Sequence, residues 1–128
     1  MKEYTFEELS LGQRFRTQFD LKESIAQDFL KSLNIENIEG QPLPVAVFST
    51  LTPIYKAIGA RFPQGTIHLK QKMEHYGNPY IGDIFDIEVL IASKYEKKGR
   101  QYLVFETSFI KDNKLICKQE STQLMAFA

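Results

Sequence analysis

Between Ile84 and the C-terminus, apolar and polar residues alternate with a period of two, which marks strands with one buried face. Phe85, Ile87, Val89 and Ile91 face one way in a strand predicted over Ile84–Tyr95, and Leu103, Phe105 and Phe109 do so over Gln101–Ile110. Lys97-Lys98-Gly99 and Asp112-Asn113 supply the intervening hairpin turns, and Leu115–Phe127 reads as a last strand. An earlier strand is predicted over Thr66–Tyr76. Ile67, Leu69 and Met73 share one of its faces, opposite His68, Lys70, Lys72 and Glu74. Gly77-Asn78-Pro79 breaks it, because proline donates nothing to a ladder, and Gly82-Asp83 makes a turn.

The N-terminal half has a different period. Tyr4–Leu9 fits a short helical turn with Thr5 and Glu8 as a capping box, and Gln13–Phe19 alternates as a strand. From Asp20 or Lys22 to Leu33, Ile25, Phe29, Leu30 and Leu33 form the stripe of an amphipathic helix, and a polar loop over Asn34–Pro44 follows. Leu43–Ala60, LPVAVFSTLTPIYKAIGA, has Lys56 as its sole charge and apolar residues around nearly its whole circumference. Such a helix is expected to be enclosed. Pro53 would cost about 3 kcal/mol in a helix interior, so the helix is expected to kink there or to begin its regular part there, with Thr52 as N-cap. The order is strand, helix, buried helix, then four antiparallel strands in a meander. The class is α+β, a sheet wrapped around a long central helix.

At 128 residues the chain is expected to form one domain spanning 1–128. Sixteen basic residues balance sixteen acidic ones, which argues against a sequence-independent nucleic-acid binder. No run is long enough to span a bilayer, and Met1–Leu9 lacks the apolar region of a signal peptide. Cys117 is the only cysteine, so no internal disulfide forms. These features lead to the expectation of a soluble cytoplasmic protein without a membrane or nucleic-acid partner.

From Pro63 onward the chain resembles the MaoC-like dehydratases, which have a hot-dog fold, and is most similar to the N-terminal half of the fatty-acid-synthase-like dehydratases. The resemblance rests on Gly65-x-x-His68-x-x-Gln71, on Tyr76 followed by Pro79, and on the Gly82-Asp83 turn. It also rests on the Tyr95–Arg100 hairpin followed by Phe105-Glu106-Thr107, with Leu9-x-x-Gly12 and Pro44 upstream. The resemblance implies one hot dog whose sheet curls around the central helix, paired with a second hot-dog subunit in a homodimer or heterodimer. It further implies an acyl-CoA or acyl carrier protein thioester as ligand, in a tunnel between the two, and no cofactor. Members of that superfamily hydrate trans-2-enoyl thioesters or dehydrate 3-hydroxyacyl thioesters.

That reaction needs a base for water, an acid for the α-carbon and donors to the thioester oxygen. Active members resemble one another in an Asp-x-Asn-Pro-x-His signature ahead of the central helix. Here the matching stretch, Leu33–Pro42, has Asn37 but no histidine, and its carboxylates are Glu36 and Glu39. The chain is therefore expected to lack the usual pair and to act as a substrate-binding or partner subunit. One alternative is an active hydratase using His68 with Glu36 or Glu39. The other is a thioesterase, disfavoured because Leu43–Ala60 holds no Asp or Glu.

The residue pattern puts His68 on the outer or pairing face and His75 at a solvated edge, and neither has a carboxylate at metal-ligand spacing. The substrate-binding candidates are the backbone N–H groups at the helix start, Val45, Ala46 and Val47, together with Gly65, His68 and Gln71. Lys94, Lys97, Lys98 and Arg100, with Lys111 and Lys114 on the next turn, are candidates for contact with phosphates or an acidic carrier. Cys117 reads as a small core residue and Asp83 as the holder of a turn.

Overall fold

A computed structural model describes residues 2–36 and 40–126. Strand β2 (Arg14–Asp20) follows a turn in which the Thr5 hydroxyl and N–H both donate to the Glu8 carboxylate. The expected capping contact is thus present, on a turn too short to be a helix. Helix α1 (Glu23–Ser32) buries Ala26, Phe29 and Leu30, whereas Leu33 lies beyond its end and is exposed.

The long strands are β4 (Ile67–His75), β5 (Ile84–Lys97), β6 (Arg100–Lys111) and β7 (Lys114–Leu124). Both tight hairpins use positive φ at their two central residues, Lys98 and Gly99 in one and Asp112 and Asn113 in the other. That geometry matches the right-handed twist of the flanking strands. The five-stranded antiparallel sheet has the order β2-β5-β6-β7-β4. The four C-terminal strands therefore do not form a simple meander. β5–β7 do, but β4 crosses to the far edge and pairs with β7, while β2 takes the place beside β5. Two further short strands, β1 (Lys2–Glu3) and β3 (Ala60–Arg61), pair in parallel and tie the N-terminus to the end of the central segment.

The sheet curls around Leu43–Ala60, as expected, but that segment is not one helix. It comprises a 3-10 helix, Val45–Thr50, and helix α2, Ile54–Ile58, joined through an extended Leu51. The Ser49 and Thr50 hydroxyls donate to the carbonyls of Ala46 and Val47, competing for the backbone acceptors of the turn. Pro53 then offers no N–H and disfavours helical backbone at Thr52. Regular helix begins directly after Pro53, the N-cap residue, and Thr52 makes no capping bond. Gly59, at φ 68°, stops α2 in the left-handed conformation that costs a glycine least.

Enclosure is one-sided. Val47, Phe48, Leu51 and Ile58 are buried, but Val45, Ala46, Ser49, Thr52 and Tyr55 are exposed. The buried side centres on Phe48, whose ring lies 5.0 Å from Phe109 and 5.7 Å from Phe85. Its carbonyl accepts a hydrogen bond from the buried side chain of Gln119. The side chain of Lys56 reaches across to donate to the Gln18 carbonyl at 2.9 Å, fixing α2 over β2.

Candidate functional site

The open flank of the central segment faces β4 and β7. Which residues of β4 turn toward it is decided by a bulge between His68 and Lys70. Past the bulge the alternation is out of step with the part before it. His68 pairs with Gln123, Gln71 with Ser121, Met73 with Gln119 and His75 with Cys117. All of these lie on the concave side, and the Lys70, Lys72 and Glu74 row lies on the convex side. The expected face of β4 is therefore corrected: His68 does not share a side with the lysine row. The one-residue slip at Leu69 is invisible in the pattern because residues on both sides of it are polar.

The result is a cleft of about 180 Å³ lined by residues of the central segment, including Ser49, Thr52 and Tyr55, and by His68, Gln71, Thr107, Gln119, Ser121 and Gln123. No Asp, Glu, Lys or Arg is among its lining residues. His68 Nε2 is 2.8 Å from the Lys70 carbonyl across the bulge, a contact that requires the proton on Nε2. Tyr55 and Gln123 also border a second, wider depression of about 490 Å³, lined by Arg61, Phe62, Pro63, Gln64, Gly65 and Thr66. The two depressions thus meet at Tyr55 and Gln123.

Three residues singled out in the sequence, Gly65, His68 and Gln71, line this pair of depressions. The helix start does not join them. Val45 and Ala46 are exposed outside the cleft lining, and the Val47 N–H already donates to the Pro44 carbonyl at 3.0 Å. Glu36 lines a separate groove along α1 with Gln27, Asp28 and Lys31. Asn37 and Glu39 lie outside the described residues.

The basic hairpin is heterogeneous. Lys94 is held inward by the Leu9 carbonyl and sits 4.3 Å from the centre of the Phe6 ring, whereas Lys97 and Lys98 are exposed at the tip. Arg100 is half-buried at the start of β6. Lys111 is committed to Asp83, 2.6 Å away, and that hydrogen bond raises the ammonium pKa. Asp83 also accepts from the Tyr80 N–H at 2.8 Å, so it does hold the turn. Cys117 is fully buried, and burial pushes its thiol up to about 12, which keeps it protonated and unreactive at neutral pH.

Thr107, Gln119, Ser121 and Gln123 went unnoticed in the sequence as site residues. The signal was present in β7: its inward positions after Cys117 are polar, where β5 and β6 place Phe, Ile, Val and Leu. A strand polar on both faces yet flanked by a buried partner points to a wet or ligand-bearing interior.

Comparison with known proteins establishes the fold. No protein-family model matches the chain, and no curated protein matches it in sequence. Solved structures do. R-hydratase PhaJ1 from Pseudomonas aeruginosa, unliganded, superposes with a TM-score of 0.73 at 18% identity, over 96% of this chain and 86% of that one. The HadBC (3R-hydroxyacyl-ACP dehydratase) complex from Mycobacterium tuberculosis gives 0.72 at 14% identity, over 89% and 96%. The MaoC-like dehydratase from Rhodospirillum rubrum gives 0.61 at 13% identity, over 95% and 96%. The protein has the hot-dog fold of the MaoC-like dehydratases and (R)-hydratases, a five-stranded antiparallel sheet around a central helical segment. No helix among the described residues is long and apolar enough to cross a membrane.

Proposed function

We propose that this chain is an acyl-thioester-binding hot-dog subunit of the hydratase and dehydratase type, catalytically weak alone, that shares an acyl tunnel with a second hot dog. The observation that carries this reading is the cleft on the open flank of the central segment, whose described lining offers one imidazole and no carboxylate. Hydration of an enoyl thioester needs two proton-transfer groups at the reacting carbons. His68 supplies one, already engaged at the bulge, and Glu36 belongs to another groove. The amide and hydroxyl groups of the cleft suit binding and orientation better than proton transfer at neutral pH.

Pairing with a second hot dog accounts for the edge of the sheet. β4 is exposed along nearly its whole length, with Ile67 at 51% and Leu69 at 46%. Long unpaired edges invite addition of another strand. An edge-to-edge partner would cover both side chains and close the cleft beside them. The HadBC structure is a complex, which fits the same arrangement.

Crotonyl-coenzyme A tests this reading. The purified protein is expected to bind it in calorimetry, while hydration followed by loss of enoyl absorbance stays far below ordinary enzyme rates of about 1–1,000 per second. Turnover in that range, abolished by His68→Ala, would replace the binding-subunit reading with the active hydratase. Release of free coenzyme A would point instead to a thioesterase.

A further inference from the structure

A cavity of about 270 Å³ opens between the N-terminal turn and the β5–β6 hairpin, and it shares no lining residue with the cleft. Phe6, Pro63, Met125 and Ala126 give it an apolar floor, and Glu3 and Glu7 stand on its wall. Its described lining holds no Lys or Arg. The Gln101 amide nitrogen donates to Glu7 at 3.0 Å and to Glu96 at 3.3 Å, so a further carboxylate stands beside Glu7. Neighbouring cations leave this charge largely unmatched. Arg61 reaches Glu3 only at 3.8 Å, and Lys94 donates to the Leu9 carbonyl and lies over the Phe6 ring.

The same hairpin carries the opposite charge at its tip. Lys97 and Lys98 are exposed, and among the described residues neither forms an ion pair. The turn itself does not call for lysine at position 98. Its φ of 53° is a conformation that asparagine or glycine adopts at lower cost. The tip, at Gly99, lies two residues beyond Gln101, or roughly 7 Å along the strand. A basic projection beside an acidic cavity makes a surface complementary to itself. Turned about a two-fold axis, each copy's tip meets the other's cavity. Lysine suits such a cavity, because its methylene stem covers the apolar floor while the ammonium stays with the carboxylates at the rim.

We propose that two copies of this chain associate about a two-fold axis, each seating the lysines of its hairpin tip, Lys97 and Lys98, against the Glu3 and Glu7 cavity of the other. This contact is separate from the edge of β4 and does not rest on the thioester-binding reading.

Sedimentation velocity at low ionic strength, where exposed charges are least screened, tests this. Lys97→Gln combined with Lys98→Asn is expected to weaken self-association about tenfold or more without lowering the melting temperature. Charge exchange separates this pairing from any other. Lys97→Glu with Lys98→Glu in one variant, and Glu3→Lys with Glu7→Lys in a second, are each expected to give a lower mass than the unaltered protein. An equimolar mixture of the two is expected to regain that mass, because only the mixed pair sets opposite charges at both contacts. Should the Glu7 change prevent cooperative melting, Glu3→Lys alone takes its place. Unchanged mass in the lysine variants, or a mixture no heavier than its parts, overturns the proposal.

Discussion

Replacing Phe48 by alanine strikes the contact on which the curled sheet closes. The ring is fully buried and makes edge-on contacts with Phe109 at 5.0 Å and Phe85 at 5.7 Å, while the His75 ring lies 5.9 Å away. Truncating a buried phenylalanine costs about 3–5 kcal/mol, from lost transfer energy and the cavity left behind. Three ring neighbours from β4, β5 and β6, none of which can collapse without moving its strand, put this site toward the upper end. Against a total stability of about 5–15 kcal/mol, that removes a large share. For a chain of this size it lowers the melting temperature by roughly 10–25 °C. Tyr55→Ala is the matched control, an aromatic on the same segment but 38% exposed, with one ring contact to Phe62 at 5.8 Å. It is expected to cost less than about 1.5 kcal/mol. Urea titration followed by far-ultraviolet circular dichroism gives both values with their slopes. Equal losses in the two variants, or a Phe48→Ala loss below about 1.5 kcal/mol with an unchanged slope, would refute the claim that the 3-10 helix is the keystone of the core.

Three further outcomes follow from the geometry. Cys117 is protonated in the folded protein up to about pH 12, whereas the unfolded chain loses that proton near the ordinary thiol value, so stability falls as pH rises through that window. Cys117→Ala flattens this decline in denaturation curves taken across the alkaline range. Lys111, with its pKa raised by Asp83, adds stability that is complete below the ordinary lysine pKa and is lost as pH rises through its own higher value. Asp83→Ala removes that contribution along with the bond from the Tyr80 N–H, at about 2–3 kcal/mol measured by chemical denaturation at neutral pH. Leu69→Lys places a charge on the exposed edge of β4, and if the proposed pairing runs along that edge between two copies, sedimentation gives a lower mass for the variant than for the unaltered protein, without loss of fold.

Much of the sheet was legible because its information is local. The alternation of Phe85, Ile87, Val89 and Ile91 and the Lys98-Gly99 and Asp112-Asn113 turns specify β5–β7 and their register within a few residues of chain. Strand order was not local. Nothing in Ile67–His75 states that it pairs with a strand some fifty residues on rather than with β5, its neighbour in sequence. The central segment was legible at Pro53, where its regular helix begins as expected, and not elsewhere. Its apolar residues are continuous, but Ser49, Thr50 and Pro53 divide the backbone, and the polar half of the sheet opposite leaves one flank open. Helix periodicity reports hydrophobicity, so it did not reveal that the part before Pro53 is a 3-10 helix or that one flank of the segment is open. The site suffered most. His68 and Gln71 were found through a resemblance, but the bulge at Leu69 decides which way they face, and Gln119 and Gln123 become visible as a polar row only after β7 is set beside β6.

The central claim, that the cleft between the helical segment and the polar half of the sheet receives an acyl thioester, is tested most directly by titrating the isotopically labelled protein with crotonyl-coenzyme A. Saturable shifts confined to Ser49–Tyr55, the His68 ring and the side-chain amides of Gln71 and Gln123 are expected. Shifts clustered along α1 around Asp28 and Glu36, or no saturable shift at all, would contradict it.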